Sequence, residues 1–173
     1  MKRLVLTSLA ALLLALATVL PAAAADPARP FTASWINPDA PDFAAPGCPA
    51  GAFYRFHGEG RDQVPLLGLT SISMTHCTFV DFASLSGSFG PGTVTLTAAN
   101  GDTLTLGEQG TFTMTPNPGP VGPPVATAVS HLTWWVAAGT GRFAGAAGSG
   151  TGMSFDDILA GVNRFTLVGT LAY

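Results

Sequence analysis

The sequence contains little charge. Asp, Glu, Lys and Arg make up 10% of the chain, against about 25% in an average soluble domain. No lysine follows position 2, and the five arginines beyond position 25 are scattered along the chain rather than clustered. Because binding to a phosphate backbone requires clustered positive charge, we expect no nucleic-acid partner.

Long apolar runs are also missing, except for one near the N-terminus. Lys2 and Arg3 precede a mainly apolar stretch over 4–20, and Pro21 is followed by four alanines. This pattern predicts a secretory signal peptide over 1–25 with an Ala-x-Ala cleavage site. The alternative, a membrane span, fits less well because the stretch is short for a bilayer and no stop-transfer charges follow it.

Cleavage at that site would leave residues 26–173, a usual size for one domain. This part has five arginines and ten acidic residues, a formal net charge of −5. We expect it to be secreted, in the periplasm or outside the cell, without membrane attachment. Its oligomeric state does not follow from the sequence.

Only two cysteines are present, Cys48 and Cys77. After export they would meet an oxidising environment, where such a pair is usually a disulfide. A zinc site is the weaker interpretation, since their separation is far from the Cys-x-x-Cys spacing. The sequence therefore predicts a Cys48–Cys77 bond, and we expect neither a metal nor a cofactor.

Proline and glycine divide the rest of the chain. Residues 26–49 contain six prolines, which predicts an extended arm. Residues 50–173 alternate short apolar and threonine-rich runs with Gly, Pro and Asn-Gly breaks, a pattern typical of an antiparallel β-meander. The clearest unit is the hairpin around Asn100-Gly101, and only 156–162 could hold a helical turn. A proline-rich loop over 116–124 separates two strands.

We predict an all-β fold, a single antiparallel β-barrel of about eight strands, because closure removes the exposed edges of a low-charge sheet. A two-sheet β-sandwich is the alternative. Alternation assigns one set of side chains to the buried face: Val94, Leu96, Leu104, Leu106, Phe112, Met114, Leu132, Trp134, Phe165, Leu167 and Leu171. From these we predict four ligand-lining residues: Phe112, Leu132, Trp134 and Phe165.

A glycine-rich segment spans 139–148. Its glycine spacing departs by one residue from the dinucleotide-binding fingerprint, and no helix is expected to follow. We therefore predict a structural turn with at least one glycine at positive φ and an aromatic residue packed beneath it. The residues concerned are Gly139, Gly141, Phe143, Gly145 and Gly148.

This turn, Gly-x-Gly-x-Phe-x-Gly-Ala-x-Gly, and the final strand Phe-Thr-Leu-Val-Gly-Thr-Leu at 165–171 resemble the allene oxide cyclase barrel-like and dirigent-like superfamily. The resemblance covers about residues 92–173 and concerns structural motifs. It implies an eight-stranded barrel. Enzymes of that superfamily cyclise or couple reactive substrates in a shaped apolar cavity, but none of their functional residues carries over to a position in this chain.

Few residues are candidates for chemistry. Arg55, His57 and Glu59 alternate onto one strand face, where they would form either an acid–base cluster or the solvated side of the strand, and we favour the second. A metal site would need His57 to converge with His76 or His131, which no spacing establishes. No catalytic signature identifies a nucleophile.

Three functions remain open from the sequence. The first is an exported barrel that binds a small apolar molecule in its interior. The second is an enzyme of the cyclase or isomerase type, on the strength of the resemblance alone. The third is a small outer-membrane barrel, because the last strand places Phe165, Leu167 and Leu171 on one face before Tyr173.

Overall fold

The computed structural model describes residues 27–38, 40–119 and 125–173. The predicted signal peptide, 1–25, and the stretch 120–124 of the proline-rich loop lie outside the described residues. Among the residues that are described, no helix is both long and apolar enough to span a membrane.

The described chain is almost entirely β-structure, as predicted. Its strands are β1 Arg29–Pro38, β2 Pro41–Asp42, β3 Tyr54–Val64, β4 Gly68–Asp81, β5 Ser86–Ala98, β6 Thr103–Pro116, β7 Val125–Gly139, β8 Ala147–Asp157 and β9 Val162–Ala172. A 3-10 turn, Gly141–Phe143, is the one helical element of the described ranges. The candidate helical turn at 156–162 is instead a tight connection, in which the Ala160 amide donates to Asp157 Oδ1 over 3.0 Å.

All nine strands belong to one antiparallel sheet in the order β1-β9-β8-β7-β6-β5-β4-β3-β2. The sheet curls until its first strand packs beside β3. Gly60 of β3 permits this approach, since a Cβ there would lie 3.2 Å from the Ile36 carbonyl oxygen. One curled, barrel-like sheet confirms the predicted all-β fold, and the two-sheet alternative is not observed.

Strands β1 and β2 both come from the segment that we predicted to be an extended arm. β1 pairs along its whole length with β9, and its inward residues, Phe31, Ala33 and Trp35, are buried. Pro30 and Pro38 lie near its two ends. Proline is tolerated in a strand at an edge or an end, where its missing N–H leaves no ladder bond unmade, so six prolines did not prevent this segment from forming part of the sheet.

The predicted inward face is confirmed. All the residues assigned to it are buried except Met114, which is partly buried against the core. The turns β3–β4 and β5–β6 and the 3-10 turn lie at one end of the barrel, which we call the closed end. The connections β4–β5 and β8–β9, the end of β6 and the start of β7 lie at the other, which we call the open end.

Candidate functional site: an aromatic cavity at the open end of the barrel

Side chains fill the half of the interior nearest the closed end. Trp134 is the largest side chain fully buried there, and its ring meets Phe31 edge-on with centroids 5.2 Å apart. Its indole N–H donates to the carbonyl oxygens of Thr151 and Val168, each over 3.2 Å. The inward position of Trp134 is as predicted, but its ring occupies the packed half instead of facing open space.

The glycine-rich turn seals the closed end. Phe143 is completely buried beneath it, and the Arg142 guanidinium lies 4.8 Å from the centre of that ring. Arg142 Nη2 also donates to the Leu67 carbonyl oxygen over 3.1 Å. Gly141 and Gly145 have φ of 57° and 80°, which confirms the predicted positive φ, and strand β8 follows the turn, so no helix N-terminus is available for a phosphate.

The open half of the barrel contains a cavity of about 240 Å³. Its walls are mainly aromatic and aliphatic. The inner aromatic side chains are Phe56, Phe89, Phe112 and Phe165. Seven lining residues have polar side-chain atoms: Tyr54, His76, Thr78, Ser130, Ser154, Asp156 and Asn163. An apolar container with a few polar groups is the usual composition of a small-molecule site.

A cluster of aromatic side chains lies on one side of the mouth. Phe43, Phe53 and Phe82 are exposed, although each is large and apolar. Phe53 meets both Phe43 and Phe82 edge-on, with centroids 5.5 Å and 5.2 Å apart, and Tyr54 completes the group. We call these four residues the aromatic rim.

The disulfide holds the segment that carries Phe43 and Phe53 against the barrel. Cys48 is bonded to Cys77 of β4, as predicted, with the two Cα atoms 5.6 Å apart. Arg55 of β3 adds a second tie, since its Nη1 donates to the Pro46 carbonyl oxygen over 3.1 Å. The rim is therefore fixed covalently to the strand that supplies His76 and Thr78.

The most unusual pair in the interior is His76 with Glu108. His76 is 8% exposed and Glu108 is 0% exposed, and Nδ1 of the histidine lies 2.8 Å from Oε1 of the glutamate. When Glu108 is ionised, its carboxylate can only accept a hydrogen bond, and Nδ1 is then the donor. The ring of His76 lines the cavity, while Glu108 lies behind it. In the neutral ring this leaves Nε2 as an acceptor.

Packing fixes the plane of the His76 ring. It stacks on Phe56 with centroids 5.0 Å apart and planes 15° apart, and Phe89 lies on it at 4.6 Å. Strand β5, which carries Gly92, has an irregular register between Phe89 and Gly92 beside this pair. Such bulges redirect side chains and are common beside functional sites.

Two oxygen atoms of the cavity residues have no hydrogen-bond partner within the described ranges. They are Thr78 Oγ1 and Asn163 Oδ1, and both are shielded from solvent. Buried polar groups in folded proteins are usually paired. Thr78 Oγ1 and Asn163 Oδ1 therefore have unused hydrogen-bonding capacity in residues that line the cavity.

The four predicted ligand-lining residues divide between the two halves of the barrel. Phe112 and Phe165 line the cavity. Leu132 and Trp134 do not, because they are buried in the packed half, and Leu132 borders only a shallow groove on the outer surface. The alternation in the sequence predicts which side chains point inward. It does not predict how far along the barrel axis the packed core extends before the cavity begins.

The remaining candidates lie on the outside of the sheet. His57 and Glu59 are exposed, with His57 Nε2 3.3 Å from Glu59 Oε1, and Arg55 is partly buried with its Nε donating to Thr75 Oγ1 over 3.1 Å. His57 and His76 therefore point to opposite faces.

Within the described residues no three His, Cys, Asp or Glu side chains are placed to hold a metal ion. Trp135, 38% exposed, packs over Gly107.

Comparison with known proteins adds no relative. No protein-family model, no curated protein and no solved structure matches this chain. The resemblance to the allene oxide cyclase barrel-like superfamily stays a prediction, and the functional argument rests on the geometry of the cavity.

Proposed function

We propose that this protein is an exported binding protein that takes up one small, mainly apolar molecule in the cavity at the open end of its barrel. One observation carries the proposal: buried core side chains occupy the closed half, whereas the open half contains a cavity of about 240 Å³ lined by Phe56, Phe89, Phe112 and Phe165. A barrel of this size either fills its interior or leaves room for one small ligand.

The volume limits the ligand to a small molecule. An apolar cavity of roughly 150 Å³ is enough to bind benzene. The larger cavity here suits a molecule of one or two rings, or an aliphatic compound of similar bulk. The aromatic rim extends the apolar surface to the mouth, where an entering ligand would first make contact.

Export is supported by the disulfide, since such bonds form and persist mainly outside the reducing cytosol. We expect the mature chain to start near Asp26. N-terminal sequencing of protein recovered from the periplasm or the medium tests this, and a chain that still begins with Met1 would contradict it.

Ligand-observed NMR with naphthalene tests binding. Ala128 lines the cavity on β7, so Ala128→Phe should fill part of it and abolish the signal. The matched control is Ala137→Phe, at an exposed position on the same strand, which should bind as the wild type does. Absence of binding to the wild type, or equal binding by Ala128→Phe, would overturn the proposal.

A further inference from the structure

Two oxygen atoms of residues in the cavity wall can accept a hydrogen bond and have no donor among the described residues. Asn163 Oδ1 can only accept, and it has no partner among the described residues. His76 Nε2 is the ring nitrogen that does not contact Glu108, and in the neutral ring with its proton on Nδ1 it accepts as well. The hydroxyl oxygen of Thr78 is likewise without a partner in the described part of the chain.

These groups belong to two walls of one cavity. His76 and Thr78 are two residues apart on the inward face of β4, and hence roughly 7 Å apart along the strand. Asn163 lies on β9, opposite Asp156 of β8 in the register. All of them share the cavity with the inner aromatic side chains, so one molecule can meet both the polar atoms and the aromatic rings.

The charges around the cavity have one sign. Asp156 lines it and Glu108 lies behind His76, whereas no Lys or Arg is among the described residues that line it. A carboxylate on a ligand would therefore lie near acidic groups and would have no Lys or Arg in the described lining to pair with. A hydroxyl or a protonated amine would face neither disadvantage.

We infer that the ligand is amphipathic, with an apolar body of one or two rings and a head group that donates hydrogen bonds. The head group binds among His76, Thr78 and Asn163, and the body lies against the inner aromatic residues. This inference rests on the proposed function, and it adds the class of head group, which apolar burial alone does not determine.

Isothermal titration calorimetry on the oxidised mature protein, with ligands that share one ring system, tests the inference. Naphthol and naphthylmethylamine carry donors, methoxynaphthalene carries only an acceptor, and naphthoate carries a negative charge. We expect at least one donor compound to bind about tenfold more tightly than methoxynaphthalene, as one additional hydrogen bond provides, and naphthoate to bind most weakly.

The comparison of naphthol with naphthylmethylamine shows which donor the cavity prefers. Equal affinities across the whole series would overturn the inference and leave the proposed function intact. If neither naphthalene nor any compound of the series binds, the proposed function fails and the inference fails with it.

Two substitutions locate the head group. Thr78→Val and Asn163→Leu remove one polar group each at nearly constant volume, and each should reduce the ratio of naphthol to methoxynaphthalene affinity about threefold or more. The control is Thr70→Val, the same change at a buried position nearer the closed end of β4, where the hydroxyl donates to the Gly68 carbonyl oxygen. An unchanged ratio in both cavity variants, or an equal fall in the control, would overturn the inference.

Discussion

Nδ1 of His76 and Oε1 of Glu108 lie 2.8 Å apart, although their strands, β4 and β6, are separated in the sheet by β5. The bond passes over Gly92 of β5. A Cβ at that position would lie 2.5 Å from His76 Cβ and 3.1 Å from Glu108 Oε1. The absence of a side chain at residue 92 is therefore what allows a polar contact to form across an intervening strand.

The first prediction concerns this pair. His76→Leu should lower the free energy of unfolding by about 3–5 kcal/mol, because it leaves the Glu108 carboxylate buried without a partner. The double variant His76→Leu, Glu108→Met should recover most of that loss, since replacement of a buried pair by apolar groups is often neutral. Urea denaturation measures both values. A double variant less stable than the single one would contradict the assignment of the cost to an unpaired charge.

The second prediction concerns the disulfide. Replacement of both Cys48 and Cys77 by serine should lower the free energy of unfolding by about 3–4 kcal/mol, because the closed loop restricts the unfolded chain. The rim segment loses its covalent tie as well, so affinity for naphthalene should fall in variants that remain folded. Unchanged stability in urea would show that the bond contributes nothing to the fold.

The third prediction compares two glycines of the same turn. Gly141→Ala should destabilise the protein more than Gly145→Ala, although both residues have positive φ. At Gly145 a Cβ meets nothing within 4 Å, so only the backbone cost of roughly 1–2 kcal/mol applies. At Gly141 the new atom would also collide with the Asp102 carboxylate. Equal losses in thermal denaturation would contradict this difference.

The fourth prediction concerns pH. The Ser84 hydroxyl, and then the amides of Ala83 and Ser84, donate to the Asp81 carboxylate and hold its pKa below the ordinary value of 3.8. A carboxyl whose folded-state pKa is lowered stabilises the fold above its unfolded pKa, and this contribution is lost as the pH falls through the folded value.

Asp81→Asn should therefore be less stable than the wild type above pH 3.8, and the difference should narrow at lower pH. Ser84→Ala removes the largest cause of the shift and should flatten the pH dependence in the same range. Urea denaturation at a series of pH values measures both. A difference that grows on acidification would contradict the sign of the shift.

Much of the fold could be predicted because a strand shows its orientation in its sequence. The alternation of threonine with apolar residues correctly assigned Val94, Leu96, Leu104 and Leu106 to the interior. The first strand was not predicted. The many prolines of its segment indicated an extended arm, and the short alternation at Phe31, Ala33 and Trp35 was not given weight. Proline composition predicts extension but does not distinguish an arm from an edge strand.

The same alternation could have placed the buried pair of the candidate site, His76 and Glu108, in the interior. Glu108 stands two residues after Leu106 and His76 two residues after Met74, so both occupy inward positions. Glu108 was missed because a lone acid in a strand is usually solvated, and His76 was considered only as a metal ligand because its partner is 32 residues away on a strand that is not adjacent. The cavity itself depends on packing between distant strands, which no local pattern records.

The pairing of the first strand with the last has a kinetic consequence. Because β1 finds its hydrogen-bonding partner only in β9, the sheet cannot be completed until the chain through Ala172 has left the ribosome. Contacts of such large sequence separation also slow folding, since loop closure has to precede them. The barrel therefore stays incomplete until β9 is available, and β1 keeps an unpaired edge during that interval.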